Sequence, residues 1–413
     1  MDPAVGSDFV RDQYALRQEM VTSFFSAEAG AIAHLCHAMA RRFARAGKLI
    51  AFGAGAAATD AQHLSVEFVH PVIVGKRALP ALGLVNDVSS LGSALLDPTG
   101  FFARRLELIG RPEDIAIGIV HGVDDPGAEA VAAALKQATA MGMLTVWLGS
   151  DEVDGAGEHQ FRVGSPDPFI VQEVQETLYH VVWELVHVFF EHKGLLADRD
   201  QRTGHDTGRS SFLYPFLAEA ENDLNEVLTQ VQRSVVNKAA DVCALRASSL
   251  EPEALVETAR LIGDRLRSGG KIIALGNGGS ATDAQDLVAD LIEPPRGMEA
   301  VPALSLTDDD AVLTALGNDI GYDNVFSRQV IAHGREADIV IAISTSGGSR
   351  NVLAAVEEAE RRGLLTVALA GYGGGALADL AARTHPVDGD YIPRIQEAQA
   401  TQYHVLRHLI GMS

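Results

Sequence analysis

Two hydrophobic periods alternate along the chain. Short, wholly apolar runs are bounded by turn residues, and longer stretches repeat their apolar positions every three to four residues. The first kind reads as strand buried on both faces and the second as helix. In the first half the strands are Leu49–Phe52, Leu82–Val85, Asp114–Val120, Leu144–Leu148 and Phe161–Val163. Residues 1–8 read as a disordered start and 9–47 as helical, with a short break near Ala27–Gly30. Further helices are predicted up to about Val69, where Pro71 stops the pattern, and over Ser89–Leu96, Phe101–Ile109, Ala128–Met141 and Phe169–His192. A polar, turn-rich stretch at 193–212 reads as a linker. The order then repeats. Helices are expected over Leu217–Leu245 and Pro252–Ser268, strands at Ile272–Leu275, Ala303–Leu306, Asp338–Ile343 and Leu365–Leu369, and a last helix from about Ile395. Strand and helix alternating in this way predict an α/β protein of two domains, 9–192 and 213–413, each with a parallel sheet covered on both faces.

The repetition extends to residues. KLIAFGAGAAATDAQHLSVEF begins at Lys48, and KIIALGNGGSATDAQDLVADL begins 223 residues later at Lys271. The shared A-T-D-A-Q after each glycine loop marks a duplication. Each copy is strand, glycine turn, helix, an arrangement that points backbone N–H groups and a helix N-terminus at a phosphate. Ligands in such sheets bind beyond the strand C-termini, where both loops lie.

Composition narrows the class. With 47% hydrophobic and 21% charged residues, the 413-residue chain is that of a soluble globular protein with room for two cores. A net charge of −22 argues against loose binding to nucleic acid or anionic membrane. No signal peptide is visible, and His180, Glu184 and His187 interrupt the most apolar helix, so no membrane span is expected. Cys36 and Cys243 lie in helical patterns and read as core thiols, suited to a reducing cytoplasm.

Several motifs of the second half carry a family resemblance: GNGGS at Gly276–Ser280, ALGND at Ala315–Asp319, FSRQV at Phe326–Val330, GREAD at Gly334–Asp338, ISTSGGSRNV at Ile343–Val352 and RIQEAQ at Arg394–Gln399. They closely resemble sugar isomerase (SIS) domains, phosphoheptose isomerases in particular. The first half resembles them more distantly, over its whole length. The resemblance implies a flavodoxin-like α/β/α sandwich on a five-stranded parallel sheet in each half. It also implies dimers or tetramers with sites at subunit interfaces; here a dimer of tandem chains would mimic the tetramer.

Ser344, Thr345, Ser346 and Ser349 follow a strand, offering four hydroxyls and backbone N–H groups to a neutral phosphate site. The family uses this loop, with the Asn277–Gly278–Ser280 turn, for its phosphate; the alternative is an N-cap with polar turn residues. In the first half the matching stretch is Val120–Asp125. There the hydroxyls are gone, Asp124 and Asp125 would repel phosphate, and Ala57 replaces Ser280.

The metal set runs the other way. By resemblance, His63, Glu67, Gln172 and His180 bind zinc in the first half, and Glu67 and His180 also move protons. His63 and Glu67 are i,i+4 and share a helix face. Gln172 and His180 are eight residues apart, about 12 Å of helix rise. They meet at one ion only if both lean together from the helix start; otherwise they serve different sites. The second-half counterparts are Asp286, Asp290, Gln396 and His404, a weaker zinc set because a histidine is lost. Two further family positions depart in both halves: an arginine becomes Pro71 and Pro294, and an aspartate becomes Phe169 and Pro393.

Other candidates have plainer readings. His70, Lys76 and Arg77 read as a solvated loop, and Asp308, Asp309 and Asp310 as a helix N-terminus. Asn318 and Asp319 match the family but are as well explained as structural, and Trp147 and Trp183 read as core. The resemblance implies an aldose–ketose isomerase acting on a sugar phosphate, sedoheptulose 7-phosphate, through an enediol. A composite site, with the phosphate loop of one copy and the metal set of the other, would suit such diverged halves. The alternative is a non-catalytic SIS protein that binds a sugar phosphate or a protein partner. An aminosugar enzyme is a third option, although the cysteine glutaminase of a complete glucosamine-6-phosphate synthase is missing.

Overall fold

The structure is a computed structural model, and it describes residues 2–72, 76–85, 97–192, 195–196 and 223–412. The predicted helix Ser89–Leu96 lies outside the described residues, as does the 193–212 linker apart from Leu195 and Leu196.

Each half builds one five-stranded, all-parallel sheet. In the first, α1 (Pro3–Ala44) leads to β1 (Leu49–Phe52), α2 (Ala57–Val69), β2 (Ala81–Gly83), α3 (Phe101–Ile109), β3 (Ile115–Ile119), α4 (Ala128–Ala140), β4 (Leu144–Ser150), β5 (His159–Val163) and α5 (Pro168–Glu191). The strand order is β2-β1-β3-β4-β5. The second half follows with α6 (Leu224–Ser248), α7 (Pro252–Arg267), β6 (Ile272–Leu275), α8 (Gly279–Ile292), β7 (Ala303–Ser305), α9 (Asp310–Ile320), α10 (Val325–His333) and β8 (Ile339–Ser344). It ends with α11 (Arg350–Arg361), β9 (Leu365–Ala370), α12 (Leu377–Leu380), β10 (Arg383–Pro386) and α13 (Ile392–Met412), in the order β7-β6-β8-β9-β10. Registers repeat between the copies: Leu49 pairs with Ala81 and Ile115, and Ile272 with Ala303 and Ile339. Strand order reverses beside β1 and β6, which opens a crevice at their C-terminal ends.

The strands form because they are buried on both faces; β1, β3, β4, β6, β8 and β9 are buried throughout. β10 was not among the predicted strands. Its sequence, Arg-Thr-His-Pro, lacks an apolar run because it is the sheet's edge. One polar knot is repeated at the strand N-termini. Asp114 accepts the backbone N–H groups of Lys48 (2.9 Å) and Arg111 (2.9 Å), and Asp338 those of Lys271 (3.0 Å) and Arg335 (2.9 Å). Each lysine ammonium closes on the same buried carboxylate and on a helix-end carbonyl, Ile109 or His333. Trp147 and Trp183 are fully buried, as core residues should be, and Cys36 and Cys243 are buried thiols outside any disulfide.

The helices depart from the sequence division in two places. Residues 3–8 are helical, not disordered, and α1 is continuous through Ala27–Gly30. A lone glycine costs a helix about 1 kcal/mol, which the apolar stripe of α1 outweighs, with Val21, Phe25, Ile32, Leu35 and Met39 all buried. The chain also divides into two compact units that do not follow the halves: Met20–Ala240 forms one, and Met1–Glu19 with Asp241–Ser413 the other. The start of α1 therefore belongs with the second sheet, where Val10 and Tyr14 join the core of Leu255, Ala259 and Leu406. Residues 223–240 of α6 belong with the first.

His385 on β10 is buried and bonded to Thr258 Oγ1 (3.0 Å), and burial pushes its pKa down to about 4. The folded state therefore keeps it neutral below pH 6.5 while the unfolded chain takes up a proton, so stability falls as pH drops from 6.5 towards 4. The expected loss is about 3 kcal/mol. Urea melts of wild type and His385→Gln between pH 7 and 4 should differ by that pH-dependent amount; a constant difference would contradict it.

Candidate functional site

Both glycine turns are forced by close approach. A Cβ on Gly53 would lie 2.5 Å from the carbonyl oxygen of Ala57, and one on Gly276 2.2 Å from that of Ser280. Two residues on, Gly55 and Gly278 both take φ +59°, a conformation that suits glycine. The duplication thus preserves the turn, and with it the start of α2 and α8.

In the second unit, Ser344 ends β8 and Ser349 stands at the N-cap of α11 without spending its hydroxyl on a capping bond. Ser346 Oγ lies 3.4 Å from both Ser344 Oγ and Ser349 Oγ, and the N–H groups of Gly347 and Gly348 point at Ser344 Oγ and Ser346 Oγ (3.2 Å each). Thr345 is half-buried between them, and Ser280 is buried in the first turn of α8. Hydroxyls and backbone donors converge with no carboxylate among them, a set suited to an oxyanion. The Asn277 side chain is committed elsewhere: it exchanges two 2.9 Å bonds with Asn351 and accepts from Tyr322 (3.2 Å). The equivalent first-unit loop has the buried His121, and Asp125 accepts the N–H groups of His121 (3.3 Å) and Gly127 (2.8 Å). Burial raises the Asp125 carboxyl above its usual range.

The first unit's buried centre lies between α2 and α5. His63 and Glu67 sit one turn apart on α2, with His63 Nε2 3.8 Å from Glu67 Oε1. From α5, His180 brings its Nε2 to 3.4 Å from His63 Nε2. All three are at least 98% buried, and their donor atoms lie within 4.8 Å of one another. Two imidazoles and a carboxylate form a donor set that fits zinc. Gln172 does not bond to these three. Its Nε2 donates to Asp60 Oδ1 (3.0 Å), and its Oε1 is a buried acceptor with no hydrogen-bond donor. The eight-residue gap on α5 is instead bridged by Tyr179, whose hydroxyl lies 3.1 Å from Asp60 Oδ1 and 3.0 Å from His63 Nδ1.

The second unit keeps a smaller version. His404 Nε2 lies 3.3 Å from Asp286 Oδ2 and 3.5 Å from Asp290 Oδ2, and Tyr403 donates to Asp286 (2.8 Å). Gln396 is buried on α13. This group is as compact as the first, although it has one imidazole and two shorter carboxylates.

A family model described as "SIS domain" matches residues 237–371. The phosphoheptose isomerase of Rhodospirillum rubrum is 42% identical over 179 residues, which span 43% of this chain and 94% of that protein. The chain belongs to the SIS domain family. Two solved structures align with nearly all of this SIS chain. One is the C-terminal domain of glucosamine-fructose-6-phosphate aminotransferase from Francisella tularensis (TM-score 0.58, 10% identity, covering 97% of this chain and 94% of that one). The other is tagatose-6-phosphate ketose/aldose isomerase from Escherichia coli (TM-score 0.51, 14% identity, 100% and 96%). At those identities the likeness is one of fold.

The remaining candidates settle into structural places in this SIS protein. Lys76 pairs with Glu191 (3.2 Å), Arg77 lies over the Phe190 ring and His70 is exposed. Asp309 caps α9 through Val312 N (2.9 Å), and Asn318 bonds to Asp319 (2.8 Å). Phe169 and Pro393, which replace a family aspartate, are buried. Asp60, Tyr179 and His121 were not among the sequence candidates. Asp60 lies in the A-T-D-A-Q shared by both copies, and a tyrosine precedes the histidine in both last helices; that coincidence was the available signal.

The double variant Ser346→Ala with Ser349→Ala removes two hydroxyl donors from exposed or half-buried positions. Inorganic phosphate should bind about 30-fold more weakly, at roughly 1 kcal/mol per bond, with thermal stability unchanged. Calorimetric titration showing wild-type affinity would remove the loop from phosphate binding.

Proposed function

We propose that this chain is an aldose–ketose isomerase acting on a sugar phosphate, of the sedoheptulose 7-phosphate type. The observation that carries the proposal is Glu67, a carboxylate buried against His63 and His180 on facing helices. Such isomerisation moves one proton between adjacent carbons and needs no redox partner. Glu67 removes the proton from the carbon beside the carbonyl and returns it to the neighbouring carbon of the enediol. His180 exchanges the proton at the sugar oxygens. Burial excludes the water that would take up the abstracted proton.

His63, Glu67 and His180, with the buried Oε1 of Gln172, are the residues that would hold zinc. Bound there, the metal polarises a carbonyl and stabilises negative charge on oxygen. In the second unit Ser344, Thr345, Ser346, Ser349 and Ser280 grip the phosphate. The relatives named phosphoheptose isomerase support the substrate class, and the oligomer in keeping with the family is a dimer of tandem chains. Among the described residues no helix is long and apolar enough to cross a membrane.

One observation favours a second reading, a sugar-phosphate-binding SIS protein without turnover. The phosphate loop and the two-histidine centre lie in different units: the first unit's loop lacks the serine hydroxyls, and the second unit's centre has one imidazole.

Glu67→Gln separates the two. The variant should lose isomerase activity by roughly 10²–10⁴-fold while binding sugar phosphate as wild type does. Activity equal to wild type would remove the mechanism, and no turnover in either protein would favour the binding reading.

A further inference from the structure

A chain of hydrogen bonds runs into the buried centre of the first unit. His121 Nε2 lies 2.6 Å from Asp60 Oδ2, Asp60 Oδ1 lies 3.1 Å from the Tyr179 hydroxyl, and that hydroxyl lies 3.0 Å from His63 Nδ1. Gln172 Nε2 adds a second donor to Asp60 Oδ1. Asp60, Tyr179 and His63 are at least 98% buried.

The proton positions follow from the chemistry. Tyr179 has one proton, and its oxygen faces an ionised carboxylate oxygen at hydrogen-bond distance. If the proton pointed away, two oxygen lone pairs would face each other in a dry site. A bond to a charged acceptor is also roughly twice as strong as a neutral one. Tyr179 therefore donates to Asp60, and its oxygen accepts from His63. That requires a proton on His63 Nδ1. In neutral imidazole the other nitrogen, Nε2, then carries a lone pair, and this atom faces Glu67 Oε1 and His180 Nε2.

We propose that His121, Asp60 and Tyr179 are positioning residues that hold His63 as its Nδ1–H tautomer, so that Nε2 is presented as a metal-ligating atom. His180 Nε2 at 3.4 Å and Glu67 Oε1 at 3.8 Å are the further donor atoms of the set around it. The same chain fixes the ring plane, since Tyr179 is anchored at Asp60. His121 stands where the second unit has Ser344, the first hydroxyl of its phosphate loop. At that position the first unit has a side chain that reaches Asp60. In the second unit Tyr403 bonds directly to Asp286, itself a candidate ligand.

The proposal rests on reading His63, Glu67 and His180 as the metal set, and two readouts keep the two apart. The first is the tautomer in metal-free full-length protein labelled with ¹⁵N-histidine, with His63 assigned by its loss in His63→Gln. Long-range ¹H–¹⁵N correlation should show Nδ1–H in wild type and lose it in Tyr179→Phe. The second is zinc affinity by chelator competition. Tyr179→Phe and Asp60→Asn should each bind about 10–100-fold more weakly. His121→Gln, which keeps a donor to Asp60, should bind close to wild type, and His121→Leu more weakly. An Nε2–H tautomer for wild-type His63, or zinc affinity in Tyr179→Phe within about twofold of wild type, would overturn the proposal. Nδ1–H in a wild type that takes up no zinc would uphold the orientation and overturn the metal reading. If Tyr179→Phe fails to fold, the two His121 variants decide, and equal affinities for them would overturn it.

Discussion

Charge buried inside an α/β unit has to be partnered within the protein, and this constraint shapes both units. Desolvation of an isolated carboxylate costs several kcal/mol even after relaxation. Asp114 and Asp338 meet the constraint at the strand N-termini with backbone N–H groups and a lysine. Asp60 meets it near the opposite edge with His121, Gln172 and Tyr179. Glu67 lies instead against His63 Nε2 (3.8 Å) and His180, donor types that also ligate metals. The first arrangement holds the fold and is the same in both copies. The last differs between them, as expected of groups that carry chemistry.

The two copies have diverged in complementary directions on one scaffold. The glycine turns, the strand registers and the lysine–aspartate knots superimpose residue for residue in sequence order. What changed is what the crevice presents. The second unit has serine hydroxyls after β8, and Asp286 and Asp290 stand where the first has His63 and Glu67. The first keeps two histidines and a glutamate, and its loop carries a histidine and two aspartates in place of hydroxyls. A duplicated domain can divide its functions in this way because scaffold and equipment rest on different residues.

Much of this was legible in the sequence. Strands buried on both faces announce themselves as apolar runs, and the shared A-T-D-A-Q placed both glycine turns at helix starts. His63 and Glu67 could be put on one face by their spacing, and His404 with Asp286 and Asp290 by repetition. The course of α1 was less legible, because a single glycine reads as a break until the packing that outweighs it is known. β10 lacked a signal because an edge strand need not be apolar. The eight-residue separation of Gln172 from His180 left two arrangements open; Gln172 Nε2 bonds to Asp60, which Tyr179 links to His63. Those two residues were invisible as site residues because their role depends on a helix more than a hundred residues away. His121 registered only as the loss of a serine.

The central claim is that the first unit's buried centre is a metal-dependent proton-transfer site. The measurement that tests it most directly is zinc content by elemental analysis after reconstitution, on wild type and on His63→Ala combined with Glu67→Gln. The account predicts zinc bound by wild type and about one equivalent per chain lost in the double variant. Equal zinc in both proteins, or none in the reconstituted wild type, would contradict it.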